Sequence, residues 1–128
     1  MAIERLAPLD RIPPQSLEGE QAVLGSMLIE RAAVEKAAEI LRPEDFYRRA
    51  HQLIFAAMVA LSERNEPTDM ITLTEQLRTT NQLAVCGGID YLSQLVDVVP
   101  TSANTQFYAR IIKEMALRRK IIHEAGEI

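Results

Sequence analysis

Cysteine, tryptophan, histidine and glycine are all scarce in this chain of 128 residues, which holds one, none, two and five of them respectively. Cys86 has no second cysteine to pair with, which excludes an internal disulfide and any cysteine-based zinc cluster. Gly19, Gly25, Gly87, Gly88 and Gly126 frame no G-x-x-x-x-G-K-[ST] loop, so the chain cannot cradle a nucleotide phosphate in the P-loop manner. Basic charge is not in excess: 14 Lys and Arg stand against 18 Asp and Glu, a net charge of -4, which disfavours tight, sequence-blind nucleic-acid binding. No apolar run approaches the roughly 20 residues that cross a bilayer. Met1 to Asp10 alternates charged and apolar residues without the continuous apolar segment of a secretory signal, which makes the cytoplasm the expected compartment.

What is present is an ordinary globular balance, 48% hydrophobic and 25% charged. The periodicity predicts an all-α fold. Residues 1–15 form an expected flexible arm ending in Pro13-Pro14. Ser16 is placed to cap a first helix with Leu17, Val23, Leu24, Met27 and Leu28 inward, and Gly25 within it points to close packing against a neighbour. A second helix is expected over Ala32 to Leu41, then a tight or 3₁₀ turn at Pro43-Glu44-Asp45-Phe46, and a third helix over Ala50 to Arg64 stopped at Asn65. Thr72-Leu73-Thr74-Glu75 reads as a capping box opening a fourth helix that reaches Asn81, and a fifth covers Ile89 to Val98.

The last segment, from Ser102 onward, contains no proline and is rich in apolar residues on more than one face. As one helix of roughly 25 residues it would be nearly 40 Å long. Its first half, through Ile112, is expected to pack on the head, whereas Leu117, Ile121, Ile122 and Ile128 need another cover. With no cap visible before Ile128, the helix is expected to run uncapped into a longer parent protein. The charge divides along the same line, net -6 over residues 1–100 and net +2 over residues 101–128.

Catalytic constellations are lacking. His51 and His123 lie in different helices and form no metal-binding spacing, so a partly exposed or satisfied histidine is the expected state of each. Glu44-Asp45 suits a turn better than an acid–base pair, the serines have no G-x-S-x-G elbow, and Cys86 reads as a buried or loop thiol. Arg118, Arg119 and Lys120 form a basic cluster that suits either a solvated face or an acidic partner. The residues alone thus describe an all-α interaction or oligomerisation module, and a self-contained helical adaptor is one form of it.

Five blocks carry a resemblance that goes further: Arg11-Ile-Pro-Pro-Gln-Ser-Leu-Glu-Gly-Glu-Gln-Ala-Val-Leu-Gly-Ser-Met-Leu28, Leu41-Arg-Pro-Glu-Asp-Phe-Tyr-Arg-Arg-Ala-His-Gln-Leu-Ile-Phe55, Glu66-Pro-Thr-Asp69, Gly87-Gly-Ile-Asp-Tyr-Leu92 and Val99-Pro-Thr-Ser-Ala-Asn-Thr-Gln-Phe-Tyr-Ala-Arg110. In this order and spacing they resemble the N-terminal domain of bacterial replicative DNA helicases of the DnaB family. The resemblance implies a non-catalytic helical head over residues 16–100. Residues 101–128 would then be the first arm of a helical hairpin, and the ATP- and Mg-dependent motor would lie elsewhere in the parent. It implies self-association within a hexameric ring, docking of the DnaG primase, a helicase loader as partner, and single-stranded DNA threaded by the full ring with weak or no direct binding here. Tyr91, Ile122 and Ile128 are the implied primase contacts. Ile111, Met115, Ile121 and Ile122 are the implied hairpin contacts.

Overall fold

The computed structural model describes residues 12–99 and 104–126. Among these, six α-helices and one 3₁₀ turn account for the regular structure: α1 Leu17–Ile29, α2 Arg31–Ile40, the 3₁₀ turn Pro43–Asp45, α3 Arg49–Glu63, α4 Met70–Thr79, α5 Gly88–Val98 and α6 Thr105–Glu124. No helix of the described residues is long and apolar enough to cross a membrane.

Helix α1 is the centre of the fold. Ser16 caps it, its Oγ accepting the Gly19 N–H at 3.0 Å. The helix is buried from Gly19 to Leu28 apart from the half-buried Gln21, so it is enclosed on nearly every side rather than amphipathic. It packs against α2, α3, α5 and α6. The contact with α5 is the tightest: a Cβ placed on Gly25 would lie 2.2 Å from the Leu95 carbonyl oxygen. Glycine there is a condition of the helix crossing.

The chain then runs outward around α1. Ala33, Val34 and Ala37 form the inner face of α2. In the 3₁₀ turn the Asp45 carboxylate accepts the Arg42 N–H at 2.8 Å, and Phe46 enters the core 4.9 Å from the Phe55 ring. The inner face of α3 is His51, Ile54, Phe55, Ala57, Met58 and Leu61. Asn65, at φ 61°, ends that helix in the left-handed conformation, as the sequence leads one to expect.

Two expectations are corrected. The capping box of α4 lies three residues earlier than Thr72-Glu75. Asp69 Oδ1 accepts the Thr72 N–H and Thr72 Oγ1 accepts the Asp69 N–H, both at 2.9 Å. An aspartate reaches the free N–H groups of a first turn as readily as a threonine, and starting there brings Met70 into the helix. Glu75, released from capping, pairs with Arg78 on the surface at 3.1 Å, and the helix ends at Thr79, short of Asn81. The last helix also stops before the end of the chain. At Ala125-Gly126 the N–H groups bond back to the carbonyls of Ile121 and His123, and Gly126 turns to φ 78°. With 20 residues, α6 is about 30 Å long.

Candidate interaction surface

Tyr91 sits in the first turn of α5, half-buried, and is held at both ends. Its hydroxyl lies 2.6 Å from His51 Nε2 and accepts from Gln21 Nε2 at 3.2 Å. Behind it, His51 Nδ1 lies 2.6 Å from Glu20 Oε1, and Glu20 Oε2 accepts the Tyr47 N–H at 2.6 Å. One arrangement of protons satisfies every member: His51 donates from Nδ1 to the Glu20 carboxylate, Nε2 accepts from the Tyr91 O–H, and the Tyr91 oxygen accepts from Gln21. The His51 and Glu20 side chains are buried (0% and 2% exposed), so this network joins α1, α3 and α5 inside the core. His51 is the satisfied histidine that the sequence suggests. Its partners are 31 and 40 positions away.

A second polar cluster clamps α6 onto the 3₁₀ turn. Lys113 Nζ pairs with Asp45 Oδ2 at 3.0 Å. Arg119 donates to the carbonyls of Pro14 and Asp45, each at 2.7 Å, with its guanidinium 5.4 Å from the centre of the Tyr47 ring. The three residues of the basic cluster therefore diverge, as neighbours on a helix must. Arg119 turns inward, Arg118 pairs with Glu114 at 2.6 Å on the surface, and Lys120 is exposed. Asp45 of the Glu44-Asp45 pair is thereby committed to a cap and an ion pair.

The buried residues of α6 are Thr105, Ala109 and Ile112, facing α1, α2 and the 3₁₀ turn. At 100° per residue the opposite side carries Phe107, Arg110, Glu114, Leu117 and Ile121 in a 3-4-3-4 spacing. Phe107, Leu117 and Ile121 on that side are 60%, 52% and 67% exposed, which makes it an apolar seam interrupted by two charged residues, Arg110 and Glu114. Ile111, Met115 and Ile122 occupy the flank between the two sides and are half-buried. Tyr91 belongs to a different helix from these residues, and Ile128 lies outside the described residues. Phe107 and Leu117 are the apolar members of the outer seam that the implied hairpin contacts omit. Their positions fourteen and four residues before Ile121 are the signal that marks them.

Cys86 is buried, with its thiol 3.8 Å from the Ala50 carbonyl. Burial pushes the thiol up from its ordinary value, and the nearby positive charge of Arg49 pulls it only part of the way back.

Comparison with known proteins accounts for this arrangement. Residues 12–114 match the family model of the DnaB-like helicase N terminal domain. The chain is 52% identical over 119 residues to the replicative DNA helicase DnaB of Geobacillus stearothermophilus, covering 93% of this chain and 26% of that protein. The chain thus spans about a quarter of that relative's length. Its fold is similar to the crystal structure of the N-terminal domain of DnaB helicase from Mycobacterium tuberculosis, with a TM-score of 0.88 and 42% identity over 91% of this chain and 84% of that one. It shares its fold, at a TM-score of 0.71 and 21% identity over 99% of this chain and 94% of that one, with the N-terminal domain of DnaB helicase from Helicobacter pylori, described with its interactions with primase. An all-α fold, a matched family model over most of the length and half-identical relatives agree: the chain belongs to the DnaB-like helicase N-terminal domain family.

Proposed function

We propose that this domain is the non-catalytic scaffold of a hexameric replicative DNA helicase that unwinds duplex DNA with ATP in the cytoplasm. It assembles the ring with other copies of itself and docks the DnaG primase. The observation that carries the reading is the outer side of α6, where Phe107, Leu117 and Ile121 are each more than half exposed on a helix otherwise fastened to the core. An apolar seam at heptad-like spacing is the surface that pairing helices use. Ile121 lies in it, and Ile111, Met115 and Ile122 on the adjoining flank widen it. Primase docks at Tyr91, Ile122 and Ile128. The interactions described for the H. pylori domain concern that protein, and a shared family is what brings a primase partner to this chain. ATP and Mg serve the motor elsewhere in the parent, because no glycine loop of this chain fits a phosphate. A loader acts on the assembled ring. Single-stranded DNA passes through it with little hold on this acidic domain.

Sedimentation equilibrium tests the assembly. The wild-type chain self-associates, and Ile121→Glu, which places a charge in the seam without touching the core, lowers the association constant by about tenfold or more. A wild-type chain that stays monomeric at high concentration contradicts ring assembly through this face.

A further inference from the structure

Tyr91 is fixed more firmly than a half-exposed contact residue requires. Its hydroxyl is bound from one side by His51 Nε2 at 2.6 Å and from another by Gln21 Nε2 at 3.2 Å. Its ring lies nearly parallel to the His51 ring, with centres 5.8 Å apart and planes at 12°. At its base the backbone closes in: a Cβ on Gly87 would lie 2.7 Å from Tyr91 Cβ and 3.1 Å from Cγ. Gly87 itself stands at φ +98°, a conformation that side-chain-bearing residues rarely adopt. The His51 ring cannot yield, because its other nitrogen is held by Glu20, and the Glu20 carboxylate is held in turn by the Tyr47 N–H.

We infer that Glu20, His51 and Gln21 are positioning residues for Tyr91, a bracket with a buried base at Glu20 and His51 that presents the ring to a partner protein in one fixed rotamer. The inference rests on the reading of Tyr91 as a primase contact and explains how that contact acquires affinity. A side chain that is free before binding loses rotamer freedom when the complex forms, whereas a bracketed one has lost it already on folding. The hydroxyl faces inward to His51 and Gln21, so the ring, and not the O–H, meets the partner. Glu20 and His51, buried beneath the surface, and the half-buried Gln21 thereby tune the contact.

Titration calorimetry of the primase C-terminal domain against four single variants of the chain and the double variant Tyr91→Phe with His51→Gln separates the possibilities. Tyr91→Ala removes the contact itself. Tyr91→Phe keeps the ring and removes only the tether. His51→Gln loosens the tether from the other side. Ile54→Val shortens a buried side chain in the same helix as His51 and serves as the control for lost stability alone. The bracket predicts that Tyr91→Phe and His51→Gln each weaken binding by about 3- to 10-fold, the range of one side chain's rotamer freedom lost on binding instead of on folding. It also predicts that the two together do no more than either alone, and that Ile54→Val binds as wild type. If Tyr91→Ala weakens binding while Tyr91→Phe and His51→Gln leave it unchanged, or if Ile54→Val weakens it equally, the bracket is wrong and the contact stands. If Tyr91→Ala binds as wild type, the contact reading fails and the bracket with it. Melting curves of all five variants establish that each is folded at the titration temperature.

Discussion

At Cys86 two effects oppose each other, and burial wins. The thiolate would have to exist away from water beside the Ala50 carbonyl, and the attraction of Arg49 does not make up for the lost hydration. The folded state therefore favours the neutral thiol more than the unfolded chain does. The stability this confers is fully present below the pKa of the unfolded thiol, about 8.5, and is lost as the pH rises through the higher folded value. Urea titrations at about pH 7.5 and pH 10 should show the advantage of wild type over Cys86→Ser shrinking at the higher pH. A constant difference contradicts the account. Similar reasoning explains what could be read of the Tyr91 network. Glu20 takes an apolar position of α1, in line with Val23, Leu24 and Met27, and His51 does so in α3, in line with Ile54, Phe55 and Met58. A polar residue on an inner stripe announces that it must find a buried partner. Which partner it finds is not written locally, because the pairing spans 31 positions for Glu20 and 40 for Tyr91. Tyr91 itself became visible through the resemblance of its block to a family, not through any local physical signal.

Among the elements, α1 has the most demanding environment. Four helices close on it, and α5 approaches so nearly that the Leu95 carbonyl occupies the space of a Cβ at Gly25. Alanine is the better helix former by about 1 kcal/mol. At a separation of 2.2 Å that gain is outweighed, because backbone rather than a pliable side chain must move. Gly25→Ala should therefore destabilise the domain by about 1–3 kcal/mol net in urea unfolding, the range typical of overpacking. A stabilised variant would mean that the two helices do not cross as described. The sequence shows that Gly25 marks a close approach, but not to which helix. Element boundaries were legible wherever one signal dominated, as at Ser16, Pro43 and Asn65. They were misplaced where two residues competed for one role. Asp69 and Thr72 both suit an N-cap, and the backbone decides between them: Asp69 is extended and the helix opens directly after it at Met70. The end of α6 is hard to read from sequence because a single glycine, Gly126, is its only stop signal and the apolar spacing continues past it to Ile128.

For the molecule as a whole, charge and exposure divide the surface into tasks. The acidic head holds a buried bracket at Glu20 and His51, whereas α6 keeps one side fastened by Lys113 and Arg119 and exposes Phe107, Leu117 and Ile121 on the other. Rigid fastening beneath an exposed seam is what a docking scaffold needs, since a helix that frayed would lose its contact geometry. The all-α class and the run of six helices could be drawn from periodicity alone. The reading as a helicase domain needed the family blocks, because the sequence carries no catalytic motif that announces a reaction. The central claim, that this is a partner-docking domain and not an enzyme or a free-standing adaptor, is tested most directly by calorimetric titration of the DnaG primase C-terminal domain into the wild-type chain and into Tyr91→Ala. The account predicts saturable binding by wild type, weakened by about 5- to 150-fold in the variant, the span of a hot-spot residue. A folded wild-type chain that shows no saturable binding would contradict it.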